Sequence, residues 1–278
     1  MTVLVSGATS QIGRFLLPRL VDAGVPVRAL SRHPQPAQPG VEWQAADMRA
    51  LPVPAQALQA IVSFAPLDAW GDWLARQQVA PARRIIVTSS MSVLTKQGSA
   101  QPDEQALVAL LQRGERNLAE QAERLGMQWT VLRPTLVYGA GLDRSLTPIV
   151  ARARRTRVFP IPMAHGLRQP VHADDIALAV MAALQGDAAA GQTLQIGGGE
   201  RLDYQQMFQR VHASIGTTTL PLYVPGVALR LLAAAAPRAR GPVSRLEQDL
   251  VADNTALAAT LGVHPRPFTP TPDTWRPR

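Results

Sequence analysis

The 278-residue sequence contains no cysteine. That absence removes thiol nucleophiles, dithiol redox chemistry, zinc fingers and iron–sulfur ligation, and it suits a reducing compartment. Lysine occurs once, at Lys96, and tyrosine three times, at Tyr138, Tyr204 and Tyr223, so chemistry that needs either side chain has little choice of residue. Long apolar runs are also missing. The most apolar stretch, Val224 to Pro237, is interrupted by Arg230 and falls short of the ~20 residues a membrane span needs. The amino end, Met1 to Gly7, lacks the basic head and apolar centre of a signal peptide. The expectation is a cytoplasmic chain with no membrane partner.

What is present describes an ordinary globular chain: 46% hydrophobic and 17% charged residues, with 24 prolines spread throughout. The length suits about two domains of roughly 150 residues. The net charge of +8 comes from arginines scattered along the chain, and only Arg152, Arg154, Arg155 and Arg157 cluster. Without aromatic interleaving, a recognition helix or a basic tail, nucleic acid is not an expected partner.

The first 135 residues alternate short β-branched runs (3–5, 25–30, 41–43, 60–62, 84–88 and 128–132) with longer segments of helical period. This alternation predicts an α/β fold, a Rossmann-type doubly wound parallel sheet with helical crossovers. Ile12, Phe15, Leu16 and Leu20 mark the buried face of the first helix, which Gly24 and Pro26 stop. Pro18 lies inside it and should cost about 3 kcal/mol or bend it. A long helix over 103–125 is expected to bury Leu107, Leu110, Leu111, Leu118 and Ala122. Further on, helices over 174–184 and 203–215 flank a strand at 193–196. The expected division is a dinucleotide-binding domain over 1–139, completed by elements within 170–198. A smaller, partly interleaved substrate domain, over 140–169 and 199–278, is expected to cover the carboxyl ends of the strands and leave a ligand cleft between.

Val5 to Gly13 lies between a strand and a helix, the context of a dinucleotide fingerprint. Gly7 would make the tight turn and Gly13 would let helix and strand approach. Amides of the helix's first turn, with its dipole, would face a pyrophosphate held by Gly7, Thr9, Ser10, Gln11, Ile12 and Gly13. At the end of the second strand the chain reads Arg28-Ala29-Leu30-Ser31-Arg32-His33, with no carboxylate for a ribose 2′-hydroxyl. Arg32 as a 2′-phosphate ligand favours NADP, with NAD as the alternative; otherwise Arg32 is one more solvated arginine.

With these pieces placed, the sequence resembles the extended short-chain dehydrogenase/reductases, the NAD-dependent epimerase/dehydratase family, over nearly its whole length. Ser6 to Gly13 resembles the family's glycine motif with Ser10 at its middle glycine. Asp47-Met48 resembles the pair that holds adenine, and Val87 to Val93 the serine-rich end of the fifth strand. Leu132-Arg133-Pro134 with Val137-Tyr138-Gly139 resembles the segment flanking the nicotinamide, and Val171 to Ala177 the start of a late helix. The resemblance implies that Asp47, Met48 and Pro134 contact the cofactor and that Ser90 orients the substrate oxygen.

The family's tyrosine, with a lysine four residues later, is missing: no tyrosine here has a lysine at that spacing. Registering the long helix on Glu120 puts Gln112 and Arg116 at those positions. Arg116 would supply positive charge, but Gln112 has no proton to trade at neutral pH. Tyr138 or Lys96 could substitute as proton donor, against the plainer readings of a packed phenol and a solvated ammonium. Arg168 resembles the family arginine that clasps a sugar-nucleotide diphosphate; the alternative is a salt bridge to Asp174 or Asp175. A metal on His172 and Asp174 lacks a third ligand, Asp174 is expected to cap its helix, and the hydrolase elbow Gly-x-Ser-x-Gly is absent. Two functions stay open: an NADP(H)-dependent oxidoreductase or epimerase-like enzyme acting on a small carbonyl or hydroxyl substrate, and a non-catalytic NADP(H)-binding sensor. Monomer and homodimer are equally compatible with the sequence.

Overall fold

The computed structural model describes residues 2–46, 51, 52, 54, 56–235 and 246–277. In chain order the elements are β1 (Val3–Ser6), α1 (Gln11–Asp22), β2 (Val27–Ser31), β3 (Val41–Ala45), β4 (Leu58–Ser63), α2 (Asp68–Ala75), β5 (Ala82–Thr88), α3 (Ser92–Thr95), α4 (Pro102–Arg124) and β6 (Gln128–Pro134). There follow β7 (Val137–Tyr138), α5 (Thr147–Thr156), β8 (Val158–Met163), β9 (Leu167–Arg168), β10 (Val171–His172), α6 (Ala173–Gln185), β11 (Gln192–Ile196), β12 (Leu202–Asp203), α7 (Tyr204–Ala213), β13 (Leu220–Pro225), α8 (Gly226–Ala235) and α9 (Thr255–Leu261).

The chain divides into two compact units. The first comprises Met1–Pro134, Asp174–Ile196 and Asp253–His264; the second comprises Thr135–Ala173, Gly197–Ala252 and Pro265–Arg278. In the first unit seven strands form one sheet in the order β11-β6-β5-β4-β1-β2-β3, and every neighbouring pair is parallel. The order reverses between β1 and β4. Such a switch point leaves a crevice at the carboxyl ends of the strands, where open α/β sheets bind ligands. The strands are short and β-branched because both faces are covered, as the full burial of Val3, Val5, Ile61, Val62 and Ile85 shows.

α1 carries Pro18 without interruption, its ring exposed on the outer face, while Ile12, Phe15, Leu16 and Leu20 turn inward. α4 departs from its expected stripe. Leu118 and Ala122 are buried, but Leu107 and Leu110 are 37% and 39% exposed, and the inner face instead carries Glu104, Val108, Gly114 and Glu115. The reason is electrostatic: two buried carboxylates have cationic partners on neighbouring elements, which a hydrophobic pattern does not register. Asp174 is also different from its expected role as a cap. It lies within the first turn of α6, where it accepts Arg19 Nε and Nη2 at 2.7 and 2.8 Å and ties α6 to α1.

The second unit packs α5, α7 and β8 around Tyr138, Val150, Phe159, Ile161, Phe208, Phe268 and Trp275. Its strands form three two-stranded pairs, β7 with β10, β9 with β12 and β8 with β13. Asp203 opens α7 through a reciprocal capping box with Gln206, as the residue types at that spacing favour.

In the first unit Arg84 on β5 is 6% exposed and closes the carboxyl end of α6. Its Nη1 donates to the carbonyls of Ala183 and Gly186, each at 2.6 Å, and its Nη2 to Asp187 at 2.5 Å. Desolvation acts to raise the Asp187 pKa, but the Gln128 hydrogen bond and the charges of Arg83 and Arg84 outweigh it and hold the carboxyl below its ordinary range. Arg84→Met should lower stability by about 2–4 kcal/mol in urea denaturation, because it strands the carbonyls of Ala183 and Gly186. The Asp187 contribution is present above the ordinary value of 3.8 and is lost as pH falls through the lowered folded value. Asp187→Asn should therefore destabilise at pH 7 and lose its effect under strongly acidic conditions.

Candidate functional site

The switch-point crevice begins where β1 gives way to α1. Gly7 has φ +70°, and a Cβ there would stand 2.9 Å from the carbonyl carbon of Phe64 and 3.1 Å from the Ala65 nitrogen. A Cβ on Gly13 would meet the Ala8 carbonyl oxygen at 2.1 Å. Both positions therefore require glycine, one for backbone conformation and close approach, the other because the first turn of α1 presses on the backbone of the preceding turn. Ser10, at the middle-glycine position, is the N-cap of α1: extended in backbone, it accepts the Gly13 N–H on its hydroxyl at 3.2 Å. The Arg14 N–H goes to the Ser10 carbonyl, and the Ile12 N–H has no acceptor among the described residues. An anion at this helix end would meet that amide and the positive end of the dipole.

The crevice has a volume of about 500 Å³ and is bounded by Gly7, Thr9 and Ser10 on the turn, Leu30 to Arg32 at the end of β2, and Phe64 to Pro66 after β4. The Phe64–Pro66 wall carries no motif of its own; its one signal in the sequence is its place directly after the strand that adjoins β1. Ser31 organises the turn after β2, its hydroxyl donating to the His33 carbonyl at 2.7 Å and accepting the His33 N–H at 3.2 Å. Arg32 is exposed at the rim and has no hydrogen-bond or ion-pair partner among the described residues. Among the described residues that line the crevice there is no carboxylate. Asp47 and Met48, the expected adenine contacts, lie outside the described residues.

Beyond β5 the serine run is tied to the end of β6: Ser89 N–H donates to the Leu132 carbonyl at 2.7 Å and Met91 N–H to that of Pro134 at 2.9 Å. Pro134 thus anchors the loop through its carbonyl. The half-buried Ser90 hydroxyl accepts the Ser92 N–H and lies 3.1 Å from the Ser92 hydroxyl. α3 packs against α4. On α4, Gln112 is half-buried and Arg116 exposed, with no partner for Arg116 among the described residues. The buried carboxylate beside it, Glu115, takes both Nε (3.0 Å) and Nη2 of Arg133. Lys96 is not a solvated ammonium: it is largely buried and pairs with Glu104 at 3.2 Å, while Ser99 donates to the same carboxylate at 2.7 Å. That engagement leaves it poorly suited to proton donation.

In the second unit Tyr138 is 1% exposed, its ring edge-on to His172 and Phe268 with centroids 5.1 and 4.8 Å away. It is a packed phenol of that core. Arg168 is 6% exposed, and its Nη1 donates to the Leu167 and Gln248 carbonyls at 2.8 and 2.5 Å. Its guanidinium carbon lies 4.6 Å above the Tyr204 ring. These contacts engage Nη1 with backbone carbonyls and set the guanidinium over an aromatic face. Among the described residues no group of three metal-ligating side chains is gathered.

Residues 112–197 match the model of the NAD dependent epimerase/dehydratase family. UDP-glucuronic acid 4-epimerase from Bacillus cereus, solved with NAD, superposes with a TM-score of 0.76 at 15% identity, over 99% of this chain and 97% of that one. In that segment the sequence is similar to the epimerase/dehydratase family, and the fold is similar to those of solved epimerases throughout. UDP-glucose 4-epimerase from Thermotoga maritima, solved with UDP-glucose, gives 0.69 at 17% identity over 95% and 94% of the two chains. A short-chain dehydrogenase/reductase superfamily protein from Agrobacterium tumefaciens with bound NAD gives 0.71 at 16% identity over 99% and 96%. No curated protein matches the sequence.

The glycine geometry generates a graded expectation. Gly13→Ala should cost about 2–3 kcal/mol or more by overpacking against a backbone oxygen. Gly24→Ala meets nothing within 4 Å and carries only the strain of its φ of +67°, about 1–2 kcal/mol. Thermal melts of the two variants check the order; an equal cost would contradict it.

Proposed function

We propose that the switch-point crevice holds a nicotinamide dinucleotide, NADP(H) in preference to NAD(H). The observation that carries this reading is Arg32: a rim-exposed guanidinium with no partner among the described residues, in a crevice whose described lining has no carboxylate to meet a ribose 2′-hydroxyl. The residues present fit the group. Gly7 and Gly13 keep the turn bare of side chains, Ile12 and the dipole of α1 offer an anion site, and the volume suits a nucleotide. The NAD in the solved relatives named above supports the same class of ligand.

The function proposed is an oxidoreductase or epimerase-like enzyme acting on a small carbonyl or hydroxyl compound. When bound, the nicotinamide supplies a hydride donor or acceptor. Ser90 would orient the substrate oxygen through its hydroxyl, and Arg116 would add positive charge. The proton is the weak point of this chemistry. Gln112 does not ionise, Lys96 is paired with Glu104 and Tyr138 is packed in the second unit. General acid catalysis contributes roughly 10²- to 10⁴-fold, so a hydride transfer without it would be slow. Those three observations favour a second reading, a non-catalytic protein whose dinucleotide occupancy is itself the signal.

Arg32→Ala should weaken NADPH binding by at least about tenfold, the loss of one charge-assisted contact, and leave NADH binding within about twofold by fluorescence titration. Equal losses would overturn the NADP preference. Turnover of NADPH with a panel of aldehydes, ketones and nucleotide sugars, abolished by Ser90→Ala, is the outcome of the enzyme reading. Tight binding without turnover on any of them is the outcome of the second.

A further inference from the structure

The second unit leaves large apolar side chains exposed on three elements in close succession: Val158 and Met163 on β8, Leu220 and Leu222 on β13, and Val227 and Leu231 on α8. Leu220, Val227 and Leu231 are each about two-thirds exposed. Register aligns Leu220 with Val158 and Leu222 with Pro160, so the two strands share an apolar outer face. β8 turns Phe159 and Ile161 into the core, but β13 buries none of its six residues. A groove of about 540 Å³ runs beside this face, lined by Pro148, Ile149, Val158, Pro160 and Leu222, with Arg152 among its walls. A globular surface rarely carries such a patch without an occupant.

Charge identifies the occupant. Residues 144–173 and 204–246, which contain α5, β8, β13 and α8, hold eleven arginines and no acidic residue, in a chain whose formal net charge is +8. Of these, Arg168 is buried and Arg210 pairs with Glu200, so the arginines of α5 are the ones that bear on the apolar face. Arg152, Arg155 and Arg157 stand exposed on and just after α5, next to the groove. This accounts for the arginine cluster that the dinucleotide site does not use.

We propose that this face docks on a lipid surface bearing anionic headgroups, with its aliphatic side chains in the interfacial layer and its arginines on the headgroups. Lying on a surface needs no spanning segment, and no helix of the described residues is long and apolar enough to cross a membrane. The lack of a long apolar run therefore argues against spanning and not against surface docking. A second copy is a poorer occupant. Pro221 and Pro225 deprive β13 of two ladder donors, which blunts strand addition, and two such faces would oppose arginine with arginine. Nucleic acid would leave the aliphatic side chains in water, and a protein partner would be anchored by aromatics, of which the three exposed apolar elements offer only Tyr223. The inference is independent of the dinucleotide reading.

The test is flotation of the full chain with vesicles of phosphatidylcholine, or of phosphatidylcholine and phosphatidylglycerol in equal parts. The expected result is binding to the anionic vesicles, release at high salt and no binding to the neutral ones. Leu222→Asp, and separately the exposed pair Arg152→Glu with Arg155→Glu, should each reduce the bound fraction at least about tenfold, with circular dichroism and melting unchanged. The charge pair keeps the test decisive if the strand variant fails to fold. Binding to neither vesicle, equal binding to both, or charge-reversed protein that floats like the parent would overturn the proposal. So would light scattering that finds a dimer, dissociated by Leu222→Asp, in protein that ignores vesicles.

Discussion

The close approach of α1 to the turn that follows β1 is the constraint on which the candidate site depends. Gly13 lies so near the Ala8 carbonyl that any side chain would collide with it, and this contact aims the amino end of α1 at the crevice between β1 and β4. Gly7 makes the complementary demand from the turn, pressed against the chain that leaves β4. Two strands that are distant in sequence and adjacent in the sheet thereby flank the amino end of α1. Ser10 shows how a hydroxyl serves where a third glycine is usual: it caps the helix through the Gly13 N–H and leaves the Ile12 amide for a ligand.

What is legible in the sequence follows from which forces are local. β-branched runs, the stops at Gly24 and Gly126 and the cap at Asp203 act over a few residues, so the parallel sheet, its crossovers and the glycine turn can all be read from the order of residues alone. Side-chain pairing across the fold cannot. Leu107 and Leu110 fit a helical stripe, yet Lys96 and Arg133 draw Glu104 and Glu115 inward and rotate the buried face of α4. Arg168 and Asp174 stand adjacent to motifs that invite functional roles, and each is engaged elsewhere by a partner that no local pattern announces. The wall from Phe64 to Pro66 belongs to the same class, because only the strand order makes it a neighbour of the glycine turn.

The same contrast separates holding a dinucleotide from using it. The features that would grip a diphosphate are intact and geometrically demanding, since each glycine excludes every other residue. On the proposed reading, the positions that would move a proton carry an amide at Gln112 and a permanently charged group at Arg116, while Tyr138 is packed and Lys96 ion-paired.

The central claim, that the β1–α1 turn is a dinucleotide site, is tested most directly by calorimetric titration of the full-length protein with NADPH and with NADH. The account predicts saturable heat at one site per chain, tighter for NADPH. Absence of heat with both reduced dinucleotides, and with their oxidised forms, would contradict it.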